Sequence, residues 1–150
     1  MVSDPINKDI DPETMQLIEL LFFAYRDFVS DPDAILSRFG FGRAHHRVLH
    51  FVNRNPGITV SELLDILSIT KQSLAPILKQ LVDDGYIEQV QSEDDRRRRL
   101  LRTTEKGSEL AFTLNVPQVK RIEAALSKLD GSAIDAARDF LTQMTNRKAD

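Results

Sequence analysis

The segment from Thr59 to Gly85 constrains this chain more than any other. Thr59-Val60-Ser61-Glu62 has the form of a capping box, in which a threonine oxygen and a glutamate carboxylate satisfy each other's backbone amides at a helix start. Val60, Leu63, Leu64 and Leu67 then fall at the spacing of one helical face. After Ser68-Ile69, Thr70 can cap a second helix, with Leu74, Ile77, Leu78, Leu81 and Val82 inward and Gly85 as terminator. Two short amphipathic helices joined by so brief a turn predict a helix-turn-helix.

The residues that follow extend the motif. Tyr86 to Gln91 alternates like a strand, Ser92 to Arg97 is a charged turn, and Arg98 to Thr103 reads as a returning strand. A helix-turn-helix with a basic-tipped hairpin behind it is a winged helix. Upstream, a helix from Arg43 to about Arg54 packs Ala44, Val48 and Val52 inward and stops at Asn55-Pro56-Gly57.

Both ends of the chain read as helical. Asp11-Pro12 is a cap with proline in the first turn, and the helix it starts is expected to reach about Val29. Met15, Ile18, Leu21, Phe22, Tyr25 and Phe28 make one face, but Leu17, Leu20 and Phe23 cover much of the rest. A helix apolar on most sides must bury more than one face, which points to a partner subunit. Ser30 to Gly42 reads as a connector with room for a short helix from Pro32 to Arg38. Thr104 caps a long segment that Pro117 is expected to kink or break, and Gly131 separates it from a last helix with Ile134, Ala137, Leu141 and Met144 in a narrow seam. The expected fold is therefore mainly α: a winged helix-turn-helix with a small β-hairpin wing and an all-helical dimerisation region from both chain ends. The expected division is residues 1–42 as N-terminal dimerisation helix and connector, 43–104 as DNA-binding domain, and 105–150 as C-terminal dimerisation helices.

Composition narrows the class. With 150 residues, 41% hydrophobic and 29% charged, the chain can bury a core of its own as one domain. It has no cysteine, which excludes disulfides, thiolate metal sites and a cysteine nucleophile. The opening MVSDPINKDI is unlike a signal peptide, and the longest apolar run, Leu20 to Tyr25, is far short of a membrane span. A cytoplasmic location is expected, with no membrane partner. The net charge of −3 conceals an asymmetry: Arg96 to Lys106 carries a net +5 and the remainder −8. One surface is built for an anionic partner on an acidic body.

Spacing leaves Gln72, Ser73, Pro76, Lys79, Gln80 and Asp83 on the face of the second motif helix away from its leucines. Gln72 can pair bidentately with adenine and Ser73 can bond either base type. Thr70 and the free amides beside it suit a phosphate, with Lys71 and Lys79 adding charge. Pro76 removes an amide from the helix interior; it either bends the helix along a groove, offering apolar contact to a thymine methyl, or weakens binding. Arg96 and Arg97 are expected to meet phosphates or a narrow minor groove, while one of Arg98 and Arg99 turns to Asp94, Asp95 or a neighbouring helix. Thr70, Lys71, Gln72, Ser73, Pro76, Lys79, Gln80 and Arg96 to Arg99 are the DNA-contact candidates. No phosphate loop, serine elbow or catalytic carboxylate pair appears, so neither an enzyme nor a cofactor is expected. His46 and His50 are four apart, half of a metal site, but Arg43 and Arg47 share their face and no carboxylate is near in sequence. Solvated or hydrogen-bonded histidines are the expectation, a metal-sensing pair the weaker alternative.

The run TVSELLDILSITKQSLAPILKQLVDDGYIEQVQSEDDRRRRLLRTTEKG, with FGFGRAHHRVLHFVNRNPG before it, resembles the MarR family of bacterial transcriptional regulators over nearly the whole chain. The matching features are the leucine-spaced helix pair, the Leu-Val-x-x-Gly-Tyr-Ile lead into the hairpin, Asp95-Arg96-Arg97 in the wing, and Thr-Glu-Lys-Gly opening the next helix. The sequence departs from the family at Ser92-Glu93-Asp94-Asp95, where many members have Asp-x-Arg-Asp, and at Thr103-Thr104 and Pro76. The resemblance implies a homodimer on a pseudo-palindromic duplex operator, usually repressing and often released by a small, frequently aromatic ligand. It also favours an effector pocket between the first two helices, with Phe22, Arg26, Phe41 and His45; the residues alone leave His45 equally readable as a core histidine. The competing class is a winged helix that binds another protein and has weakened or lost its DNA function.

Overall fold

A computed structural model describes residues 9–147. In chain order the elements are α1 (Pro12–Ser37), α2 (Arg43–Arg54), β1 (Ile58–Thr59), α3 (Val60–Leu67), α4 (Lys71–Asp83), β2 (Ile87–Gln91), β3 (Arg99–Thr103), α5 (Glu105–Ser127) and α6 (Ala133–Met144). The mainly helical winged-helix fold is thus as the sequence predicts. The outermost parts of the expected end regions, residues 1–8 and 148–150, lie outside the described residues.

Two proline expectations are corrected. Helix α1 does not end near Val29 and leave a connector; it runs 26 residues, straight through Pro32. Proline cannot donate to the carbonyl one turn back, which here belongs to Phe28. Gln118 Nε2, from α5, donates to that carbonyl at 3.4 Å, and the Pro32 ring is itself buried. A tertiary contact carries the helix past its own breaker. Helix α5 likewise continues unbroken through Pro117, where residues 115–118 lie half-buried and the helix packs along α1.

The capping box forms as read: Thr59 Oγ1 accepts from the Glu62 amide at 3.1 Å, and Glu62 Oε1 accepts from the Thr59 hydroxyl at 2.8 Å. Helix α4 ends at Gly85, whose φ of 84° lets Tyr86 N–H reach the Leu81 carbonyl at 2.8 Å and Gly85 N–H the Val82 carbonyl at 3.1 Å. The strands form one antiparallel sheet with β3 in the middle. Ile87 faces Thr103 and Gln91 faces Arg99 across the wing, while Ile58 faces Leu101 on the other edge. Sequence reading missed β1 because two residues are too few to show alternation.

Leu36, Leu49, Val52, Leu63, Leu74, Leu81, Ile87, Leu101 and Leu114 are fully buried in one core where α2, α3, α4, β3 and α5 converge. Each contributes roughly 1.5–3 kcal/mol of transfer free energy. This core sets the angle at which α4 leaves the body. At the start of α5 the backbones approach closely: a Cβ on Gly107 would stand 1.9 Å from the Tyr86 carbonyl oxygen. Gly107→Ala is expected to lower the unfolding free energy by about 2 kcal/mol or more through overpacking against rigid backbone. The measurement is a urea titration, which should show a lower midpoint at unchanged slope; an unmoved midpoint would contradict the close approach.

Candidate nucleic-acid interface

Helix α4 opens on a cap that shapes its first turn. Thr70 Oγ1 accepts from the Ser73 amide at 3.1 Å and its hydroxyl donates to Ser73 Oγ at 2.9 Å. The Ser73 hydroxyl proton is left to point outward. Lys71, Gln72, Ser73, Ala75, Pro76 and Lys79 are all exposed, opposite buried Leu74, Leu78 and Leu81. The helix keeps its course through Pro76, so the missing amide orphans only the Gln72 carbonyl near the exposed first turn. Lys79 is not a bare cation: its Nζ donates to Asp83 Oδ2, which raises its pKa. Gln80 differs from the rest of the set. It is half-buried, and its Oε1 lies 2.7 Å from His45 Nε2.

The wing is a hairpin whose turn is held by its own acids. Asp95 Oδ1 accepts from the Arg97 amide at 2.9 Å, and Arg98 N–H donates to the Asp95 carbonyl at 3.0 Å. Gln91 Nε2 donates to the Arg96 carbonyl at 2.7 Å. Asp95 is therefore a turn former. Arg98 turns back to α3, its Nη2 3.8 Å from Glu62 Oε1, as one of the arginine pair was expected to do. Arg102 pairs with Glu88 directly across the strands. Arg96, Arg97 and Arg99 remain exposed. Gln89 of β2 lines the same concavity as Lys71 and Lys79 of α4.

A cavity of about 260 Å³ lies between α1, α2 and α5. Tyr25, Phe28 and Phe51 form its apolar wall, and Arg43, His46, Arg47 and His50 its polar side. Arg43 is paired with Asp33 at 3.0 Å and stands over the Tyr25 ring at 5.8 Å. The structure does not bring the expected pocket residues together. Phe22 is 72% exposed, and Arg26 is paired with Asp27 and lies over Phe23. Phe41 and His45 are buried in the core and stacked on each other at 4.8 Å. None of the four lines the cavity. The spacing that lines this cavity is visible in the sequence: Arg43, His46, Arg47 and His50 fall on one face of α2, facing the stripe of Tyr25, Phe28 and Val29 on α1. Among the described residues, no three histidine, aspartate or glutamate side chains converge to hold a metal ion, and no helix is long and apolar enough to cross a membrane.

A capped helix with an open polar face, a turn preceding it and an arginine wing beside it define a winged-helix protein of the nucleic-acid-binding class. Residues 39–98 match the MarR family model. The chain is 44% identical over 134 residues to the HTH-type transcriptional regulator PetP of Rhodobacter capsulatus, covering 89% of this chain and 81% of that protein. The fold is similar to Streptococcus pneumoniae FabT solved in complex with DNA (TM-score 0.76, 23% identity, 87% of this chain and 94% of that one). It is also similar to MarR of E. coli in its apo form (TM-score 0.65, 22% identity, 90% and 98%). The chain belongs to the MarR family and is a DNA-binding transcriptional regulator of that type.

The cavity histidines give a pH prediction. Burial is the main cause that lowers the pKa of both His46 and His50, with the charges of His50 and Arg47 adding at His46 and that of Arg54 at His50. Both rings are thus held neutral in the fold. Their contribution to stability is present above the ordinary histidine value of about 6.5 and is lost as pH falls through the lowered values, because the unfolded chain then binds more protons. The melting temperature is expected to fall below about pH 6.5, less steeply in a His46→Gln, His50→Gln double variant. Equal acid slopes in the two proteins would contradict the burial argument.

Proposed function

We propose that the chain is a homodimeric cytoplasmic repressor that binds a pseudo-palindromic duplex operator and is released by a small, ring-bearing ligand. The observation that carries this reading is the exposed polar face of α4, followed in the chain by an exposed arginine wing. Helix α4 enters the major groove, where Gln72 and Ser73 meet base edges and Pro76 presents an apolar ring to a thymine methyl. Thr70, Lys71 and Lys79 face phosphates. Arg96, Arg97 and Arg99 lie on the flanking backbone or in a narrow minor groove, where Asp94 replaces the arginine common in the family. That FabT was solved with DNA bound supports the mode of docking.

The second copy is favoured by what the end helices leave bare. Helix α6 buries none of its residues; Ile134, Leu141 and Met144 are each about half exposed, as are Leu17, Leu20 and Phe23 of α1 and Val119 and Ile122 of α5. Residues 1–42 and 105–150 form the dimerisation regions in this reading, around the DNA-binding residues 43–104. A dimer must place its two α4 helices about 34 Å apart to meet successive grooves. The α1–α2–α5 cavity sits where a ligand could change that separation, and its aromatic and basic lining suits a ring with an acidic substituent. Release requires the ligand to prefer the mis-spaced state, since equal affinity for both shifts nothing.

The test is binding to operators selected from pooled genomic fragments across a salt series. Arg96→Ala with Arg97→Ala should weaken binding to every sequence and flatten the logarithmic salt slope by about two; an unchanged slope removes the wing from the interface. Gln72→Ala should relax base preference at one position of each half-site, with a cost of about 1–3 kcal/mol for the preferred base. A uniform loss across sequences would contradict base reading by Gln72.

A further inference from the structure

We propose that Gln80 is a donor-only contact to a DNA phosphate, its amide oriented by His45, and that it does not read a base. The inference rests on the reading of α4 as the recognition helix and assigns one of its residues a role different from that of its neighbours.

The chain of hydrogen bonds fixes every proton. His45 stands in the first turn of α2, and its Nδ1 accepts the Gly42 amide at 3.0 Å. A neutral imidazole that accepts at Nδ1 carries its proton on Nε2. That nitrogen lies 2.7 Å from Gln80 Oε1, so the N–H donates and the amide oxygen accepts. The order of oxygen and nitrogen in the Gln80 amide follows from this relay. Nor can the relay readily turn: the His45 ring is 9% exposed and stacked on Phe41 at 4.8 Å and 23°.

A free glutamine recognises adenine with its oxygen and nitrogen together. With Oε1 committed to His45, Gln80 has only its two N–H donors to offer, and among the described residues nothing accepts them. Their natural partner is an acceptor without a matching donor, either a phosphate oxygen or the O6 and N7 edge of guanine. Position decides between the two. Gln80 lies one turn beyond Pro76, on the flank it shares with Ser73, whereas recognition helices meet base edges with their N-terminal residues. Gln80 thus ties α4 to the DNA backbone while His45 ties it to α2, the helix whose opposite face borders the cavity.

The experiment is a double-mutant cycle on the full chain. Gln80→Met keeps the side-chain volume and removes all polar atoms; His45→Phe keeps the stack on Phe41 and removes the relay without touching the DNA-facing surface. Affinity for the selected operator duplex and for its single-base variants is measured at fixed salt, at a temperature where circular dichroism shows each variant folded. Each single variant should lose about five- to tenfold, equally on all sequences, and the double variant no more than either, as expected for one hydrogen-bonded unit on a charged acceptor. A changed base preference in Gln80→Met would overturn the proposal, as would losses that multiply, or wild-type affinity in either single variant. Should His45→Phe not fold, the base preference of Gln80→Met decides alone. Failure of the recognition-helix reading itself is distinct: it would leave Gln72→Ala and the wing variant without effect as well.

Discussion

The junction between α4 and β2 holds this molecule together. Gly85 turns the chain with a positive φ, and the carbonyls it exposes are claimed by the start of α5. The Thr104 amide donates to the Tyr86 carbonyl at 3.1 Å, the Thr104 hydroxyl to the Gly85 carbonyl at 2.6 Å, and Lys106 Nζ to the Asp84 carbonyl at 2.9 Å. Lys106 also stands 4.4 Å over the Tyr86 ring, and Gly107 leaves no room for a side chain. Helix α4, the wing and the long helix α5 therefore leave one small, bonded knot.

A second tie runs one turn earlier in α4, through Gln80 and His45 to α2. The two ties anchor the C-terminal half of α4. The cavity borders α1, α2 and α5, and so touches the helices behind both ties without touching α4. A bound ligand acts on such an arrangement only through the difference in its affinity for two placements of these helices. Arg43, held between Asp33 and Tyr25, is the cavity residue whose partners an acidic ligand would most directly exchange.

Much of this was legible in the sequence, for definable reasons. Capping boxes, helix periodicity and the Gly85 stop are local signals, and α3, α4 and the wing fell where they predict. Pro32 misled because its cost is offset by a residue far along the chain: Gln118 lies 90 residues from Phe28, whose carbonyl it satisfies. Strand β1 was invisible because its identity lies in pairing with Leu100 and Leu101. The four expected pocket residues do not line the cavity because α2 meets α1 one turn beyond Phe22, at Tyr25, Phe28 and Val29, and because Phe41 and His45 stack in the core; both facts lie in tertiary packing. Gln80 was grouped with the DNA-contact candidates from its helical face alone; its bond to His45, 35 residues earlier in the chain, has no local signal.

In the proposed dimer two copies of α4 read successive major grooves. The decisive measurement is a methylation and hydroxyl-radical footprint of the wild-type chain on its selected operator. Two major-groove protections about 10 base pairs apart are expected, related by a dyad and flanked by backbone protection from the wings. A single protected half-site, or protection confined to the backbone with no major-groove signal, would contradict it.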